Sequence, residues 1–301
     1  MLTKAVEEYL RVRRAGGYEL AADGMRLRSF ARFASEAGDD HVRATTATTW
    51  AALGPSAGQR DRRQKTIIRF ARFVRAEDPG HELPPDGVFG VQRERPVPRI
   101  YTPDEVRAIV GDAARLQPRG SLRPHVYSTL LGLLASCGLR ISEALGLRID
   151  DVTEDGLLIR ITKFHKSRLV PMHETTERVV QDYLRRRCRA AGGSDRLFVS
   201  LRGKPLRYET VRCTFNEVLR RIGLRDGTGQ RQPRLHDLRH SCAVRALESC
   251  PRDQVATHVL ALSTYLGHAR VADTYWYLHV TPQLLATIAD DCRSFLYGGA
   301  P

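Results

Sequence analysis

The sequence predicts a mainly α-helical protein with a small β-sheet, divided into a helical N-terminal domain and a larger α+β domain. Three observations carry that prediction. Apolar residues recur at helical spacing through most of the chain, as at Ile67, Phe70, Ala71 and Val74. Strand-like alternation is confined to one short stretch, 157–172. Between the two parts, residues 78–100 carry Pro79, Pro84, Pro85, Pro96 and Pro98 among glycines and charges, the composition of a linker. The expected boundaries are 1–80 for the first domain, 81–99 for the linker and 100–301 for the second.

Within the first domain, residues 1–77 read as helices punctuated by Gly16-Gly17, Ala37-Gly38-Asp39-Asp40 and Gly54-Pro55-Ser56-Ala57-Gly58. The last of them, about 58–77, presents its apolar stripe inward. A second stripe, Arg62, Lys65, Arg69 and Arg72, has few acidic neighbours and reads as a phosphate-facing surface, with a solvated charged face as the alternative.

The second domain opens on Thr102-Pro103-Asp104-Glu105, an N-cap, a proline at the first helical position and a capping-box glutamate, with a helix to about Arg115. Another apolar helix runs from about Pro124 to Ser136. It leads into Cys137-Gly138-Leu139-Arg140-Ile141-Ser142-Glu143-Ala144-Leu145-Gly146-Leu147. There Leu139, Ile141, Leu145 and Leu147 face the core. Arg140 sits where the helix dipole disfavours a cation, which points to a role other than helix stability; a salt bridge to Glu143 is the structural alternative. The strands 157–162 and 168–172 flank the turn Lys163-Phe164-His165-Lys166-Ser167. Helices follow at 174–190 and 208–222, the second with a core face of Val211, Phe215, Val218, Leu219 and Ile222. A basic loop, 226–234, leads to His236-Asp237-Leu238-Arg239-His240, which opens a helix. Residues three apart share a helix face, so His236 and Arg239 project into one volume. Leu266-Gly267-His268 has the form of a helix C-cap. Asp273-Thr274-Tyr275-Trp276-Tyr277-Leu278 comes next, and a last amphipathic helix is expected at 282–296.

Composition narrows the function. The 301 residues include 48 Lys and Arg against 34 Asp and Glu, a formal charge of +14 and a pI near 10.0. The excess is present in both parts and greater in the second. Such a charge favours a polyanionic partner, and nucleic acid first. The six cysteines lack zinc-ligand spacing and read as buried thiols of a reducing compartment. Glu7 and Glu8 and the absence of a long apolar run argue against a signal peptide. No stretch reaches the roughly 18 apolar residues of a membrane span, so a soluble, cytoplasmic protein is expected. There is no Walker A loop and no carboxylate cluster of a two-metal nuclease, so neither ATP nor a metal is expected as cofactor.

Five features in order make the sequence resemble the tyrosine recombinase (phage integrase) family over about residues 100–290. They are Arg140 in a Gly-Leu-Arg-x-x-Glu-x-x-x-Leu box, Lys163 in a hairpin, His236-x-x-Arg239, Leu266-Gly267-His268, and Tyr277 nine residues after His268. The resemblance implies that Tyr277 attacks a scissile phosphate to give a 3′-phosphotyrosine. It implies that Arg140 and Arg239 hold the phosphate oxygens and that Lys163 protonates the leaving 5′-oxygen. His236 would handle the tyrosine proton, and His268 would bind the phosphate or orient the site. Tyr275, seven residues after His268, is the rival nucleophile, and Lys166 the rival hairpin lysine. Phe164 and His165 stand where family members often have glycine. Lys166 and Arg168 are assigned to DNA contact. The family further implies a helical core-binding domain at the N-terminus and a homo-tetramer on two double-stranded DNAs joined through a Holliday junction, alone or with sister recombinases. Its terminal helix docks on a neighbour or on its own domain. The Asp-Thr-Tyr-Trp-Tyr-Leu context is similar to recombinases of mobile elements. A type IB topoisomerase-like enzyme and a catalytically inactive DNA-binding relative are the alternatives.

Overall fold

The computed structural model describes residues 1–90, 97–160, 167–190, 193–225, 232–251 and 254–280. The chain forms two compact units, Met1–Arg95 and Pro96–Pro301.

The first unit is built of α1 (Leu2–Ala15), α2 (Ala21–Glu36), α3 (Ala44–Ala52) and α4 (Ala57–Val74). The breaks fall at the glycine-rich segments read from the sequence. Ser56 caps α4 by accepting a hydrogen bond from the Gln59 amide. Inward stripes from all four helices meet in one core around Val6, Leu10, Leu27, Phe30, Trp50, Ile67 and Phe70, with Tyr9 edge-on to Phe70 and Phe73. The expected linker differs from what is seen. Its first part is laid on this unit: the Glu82 amide donates to the Val42 carbonyl at 2.8 Å, and the Val42 amide to His81 Nδ1 at 3.0 Å. Gln64 Nε2 donates to the Pro85 carbonyl at 2.9 Å, and Phe89 packs against the helical core. Proline removes a donor but keeps its carbonyl, so a proline-rich segment can still be fastened by donors from outside it.

The second unit begins with α5 (Pro103–Ala113), whose capping box is reciprocal: Thr102 and Glu105 each satisfy the other's amide. α6 (Leu122–Ser136) is apolar nearly all round and is correspondingly buried, packing against α5, α8 and α10. α7 (Ile141–Gly146) and a 3-10 turn, Ile149–Asp151, follow. The sheet is antiparallel in the order β1 (Val152–Thr153), β2 (Gly156–Ile159) and β3 (Arg168–Val170), with Leu157 opposite Val170 and Ile159 opposite Arg168. That register turns Leu157, Ile159 and Val170 into the main core. The two-residue β1 carries no period of its own and was not legible. The hairpin turn with Lys163 and Lys166 lies outside the described residues, as does the expected helix 282–296.

The remaining helices are α8 (Glu174–Arg189), α9 (Tyr208–Arg221), α10 (Leu235–Glu248), α11 (Val255–Leu266) and the short α12 (Ala272–Tyr275), which runs into a 3-10 turn, Trp276–Val280. A second apolar cluster of Ala243, Val244, Leu247, Val259, Leu262, Leu266 and Tyr277 seats that last turn on α10 and α11. No helix among the described residues is long and apolar enough to cross a membrane.

Candidate active site

The site is assembled where the start of α7, the N-terminal half of α10 and the end of α11 meet. Arg140 is the residue before α7. Its amide donates to Glu143 Oε2 at 2.9 Å, its Nη1 to Glu143 Oε1 at 2.8 Å, and its Nη2 to the Gly267 carbonyl at 2.8 Å. The salt bridge considered as the structural alternative is therefore present. It does not use up the side chain, which is 32% exposed and has five N–H donors.

Arg168 arrives from β3 and closes the other side of Glu143, with Nη1 and Nη2 at 3.0 and 2.9 Å from the two carboxylate oxygens and Nε donating to the Tyr265 carbonyl at 2.9 Å. Burial alone would raise the Glu143 carboxyl; hydrogen bonds from Arg168 and Arg140 overcome it and hold the pKa at about 2. The DNA contact expected of Arg168 is not what this geometry offers. Its side chain is 11% exposed and committed to Glu143 and Tyr265, which makes it a strut beneath the site.

Arg239, on α10, is 1% exposed. Nη1 donates to the Gly138 carbonyl at 2.7 Å and Nη2 to the Leu266 carbonyl at 2.8 Å, with Glu143 Oε2 4.0 Å away. Burial first, then repulsion from Arg140, brings its pKa down to about 10, so it stays cationic at neutral pH. Both carbonyls depend on glycines. Gly138 has φ +59°, and a Cβ there would lie 2.8 Å from Leu266 Cδ2 and 3.2 Å from Cys242 Sγ. Gly267, the left-handed C-cap of α11 at φ +67°, would place a Cβ 2.5 Å from Arg168 Nη1.

His268 follows that cap. Its Nδ1 lies 2.7 Å from Thr274 Oγ1, and its ring is stacked on Tyr277 at 6.1 Å and 14°. Burial, then the charges of Arg239 and Arg140, lower its pKa to about 4. His236 is exposed at the first turn of α10. Partial desolvation by the surrounding protein, then Arg239 and Arg234, push it down to about 4 as well. Both imidazoles are therefore neutral at pH 7.

Tyr277 is 2% exposed and Tyr275 52% exposed. The Tyr277 hydroxyl lies 3.0 Å from His240 Nδ1, and its charge is felt at Arg239. Tyr265 packs at the edge of the core and donates to the Pro171 carbonyl. Arg140, Arg239, His236, His268 and Tyr277 thus converge. A cavity of about 520 Å³ opens from Arg140 and is rimmed by Arg148, Arg160 and Arg196. On the first unit, Arg62, Arg69 and Arg72 are exposed along α4; Arg69 is paired with Asp23, and the half-buried Lys65 with Asp61.

Three residues escaped the sequence reading. Glu143 was visible only as a possible partner of Arg140, Thr274 gave no signal, and His240, one turn after His236 on the same face, carries no role in the family pattern. His41, Asp78 and His81 on the first unit bring metal-ligating atoms together. His81 Nδ1 already accepts from the Val42 amide, so its Nε2 carries the proton and faces Asp78 at 4.0 Å. That arrangement is a carboxylate clamp on the segment after α4.

Two guanidiniums and neutral imidazoles gathered round a buried phenol, on a largely helical two-unit chain, form a site for an anionic phosphoryl group. The comparisons give that class its family. Residues 99–283 match the phage integrase family, and the chain belongs to it as a tyrosine recombinase. It is 39% identical over 295 residues, 94% of each chain, to the "Putative integrase/recombinase y4rB" of Sinorhizobium fredii. Its fold is similar to that of the Tn1549 transposon integrase in complex with transposon right end DNA, at TM-score 0.66 and 17% identity, covering 92% of this chain and 94% of that one. It is also similar to the lambda integrase tetramer bound to a Holliday junction, at TM-score 0.62 and 16% identity, covering 91% and 76%.

Proposed function

We propose that the protein is a site-specific recombinase that cuts and rejoins double-stranded DNA through a 3′-phosphotyrosine on Tyr277, moving or resolving a mobile element. The observation that carries this reading is the seating of the Tyr277 hydroxyl: buried on His268, held at 3.0 Å by His240, and close enough to Arg239 for their charges to interact. A phenol with a pKa near 10 is a poor nucleophile at pH 7, and fixed positive charge beside it favours its ionised form.

Arg140 and Arg239 hold the non-bridging oxygens of the scissile phosphate with the N–H groups that Gly267, Gly138, Leu266 and Glu143 do not occupy. As charge builds on those oxygens, the guanidiniums are already in place, so little reorganisation is needed. His268, neutral, offers an N–H donor to the same phosphate, and a neutral histidine of α10 handles the Tyr277 proton, the role the family pattern gives to His236. Lys163, in the family's hairpin position but outside the described residues, protonates the leaving 5′-oxygen. Because the phosphotyrosine keeps the ester bond energy, resealing requires neither ATP nor a metal. The stripe Arg62, Lys65, Arg69 and Arg72 tracks DNA phosphates from the first unit. Tetrameric synapsis draws support from the assembly named for lambda integrase, and the mobile-element role from the name of the Tn1549 protein.

The test is a duplex selected from a randomised pool by binding to the full chain, nicked stepwise across the site to trap the intermediate, and run on a denaturing gel without metal. Wild type and Tyr275→Phe should give a covalent protein–DNA band and Tyr277→Phe none. Binding with no band at any nick position would leave a DNA-binding relative without cleavage.

A further inference from the structure

His240 was assigned no role by the family pattern, yet it touches the reacting atom. We propose that His240 is the base that takes the Tyr277 proton during attack, a role that deepens the recombinase reading above and rests on it. The two histidines of α10 that could serve are four residues apart on one face, with ring centroids 4.5 Å apart and edge to face. It is His240 whose Nδ1 lies 3.0 Å from the Tyr277 hydroxyl, while His236 stands at the exposed first turn.

The surroundings of His240 suit that task. The groups facing it include His236 one turn back, Tyr277 and Trp276 from the last 3-10 turn, and His268 across the Tyr277 ring. A neutral imidazole accepts through one ring nitrogen while the other carries the proton. In the tautomer that carries its proton on Nε2, Nδ1 accepts from the phenolic O–H, and the proton's path is a single hydrogen bond. The adjacent Arg239 runs the other way, into the Gly138 and Leu266 carbonyls, so its charge favours the phenolate without occupying the acceptor. In cleavage the Tyr277 Oη–P bond forms, the P–O5′ bond breaks, the phenolic proton passes to His240 Nδ1, and the leaving 5′-oxygen receives a proton from the general acid. Rejoining reverses each transfer: the 5′-hydroxyl attacks, and His240 returns its proton to the departing phenolate.

The experiment is single-turnover formation of the covalent complex on the selected nicked duplex, from pH 6 to 9.5, for wild type, His240→Ala and His240→Asn. An asparagine carbonyl still accepts the phenol's hydrogen bond and keeps its orientation, but it takes up no proton. Both variants should bind the duplex as wild type does and cleave about 10²–10³-fold more slowly at pH 7. Their rates should climb about tenfold per pH unit toward the phenol's own pKa, and added imidazole should restore His240→Ala. If His240→Asn cleaves at the wild-type rate with the wild-type pH profile, His240 only orients Tyr277 and the proposal is overturned. The recombinase reading is then untouched, provided the band is still lost in Tyr277→Phe. A wild-type protein that forms no covalent complex at any nick position overturns both.

Discussion

At Glu143 four hydrogen bonds from Arg140 and Arg168 converge on one buried carboxylate, with Arg239 just beyond. Removing one partner of a buried ion pair leaves the other charge unpaired. Glu143→Ala should therefore destabilise the protein by about 3–5 kcal/mol in urea unfolding, more than truncation of an exposed pair such as Glu174–Arg178. His268 sets a pH dependence of the opposite origin. Its folded pKa is about 4, below the ordinary value of 6.5, so between those pH values the unfolded chain binds a proton that the folded chain does not. Stability must fall as pH drops through that window, and His268→Gln should flatten the slope, measured by urea midpoints from pH 7 to 4. Thr274 acts through the same ring. If its hydroxyl donates to Nδ1, it fixes the tautomer that presents Nε2–H to the phosphate. Thr274→Val should slow covalent-complex formation about tenfold while DNA binding is retained.

Elements position these residues by their ends rather than their middles. Arg140 precedes α7, Gly267 and His268 cap α11, and Gly138 ends the turn after α6, so the two arginines are held by carbonyls left over where helices stop. A Cβ at Gly138 meets Leu266 and Cys242 and would also sit in the left-handed region. Gly138→Ala should cost about 1–3 kcal/mol in unfolding and reduce cleavage further than that loss of folded protein explains. The local elements were legible because their signals are local. The Thr102–Glu105 capping box, the apolar stripe of α4 and the glycine cap of α11 each depend on residues within a turn or two of one another. What was not legible depends on long-range closure. That Arg168 faces Glu143 rather than solvent follows from β3 pairing with β2 at Ile159 and from the approach of α11, and no spacing in the sequence encodes it. The fastening of residues 81–90 onto the first unit is of the same kind: the prolines signalled a linker, but donors on Val42 and Gln64, far away in sequence, decided where it lies.

For the whole molecule, the formal charge of +14 makes association with DNA an electrostatic event with a steep salt dependence. Arg62 and Arg72 are exposed on α4 and have no ion pair among the described residues, so they are the members of the stripe freest to meet phosphates. Arg62→Glu with Arg72→Glu should weaken binding to any duplex and make the slope of log K against log salt shallower by about one per lost contact. Phosphate contact by α4 and chemistry in the second unit should be separable in this way: α4 variants should lose affinity, and variants of the candidate site should lose cleavage. The central claim is that Tyr277 is the residue joined to DNA. The most direct measurement traps the covalent adduct, digests protein and DNA, and locates the nucleotide-bearing tyrosine by tandem mass spectrometry. The adduct should lie on Tyr277, linked to a 3′-phosphate. An adduct on the exposed Tyr275, or on a 5′-phosphate, would contradict the account.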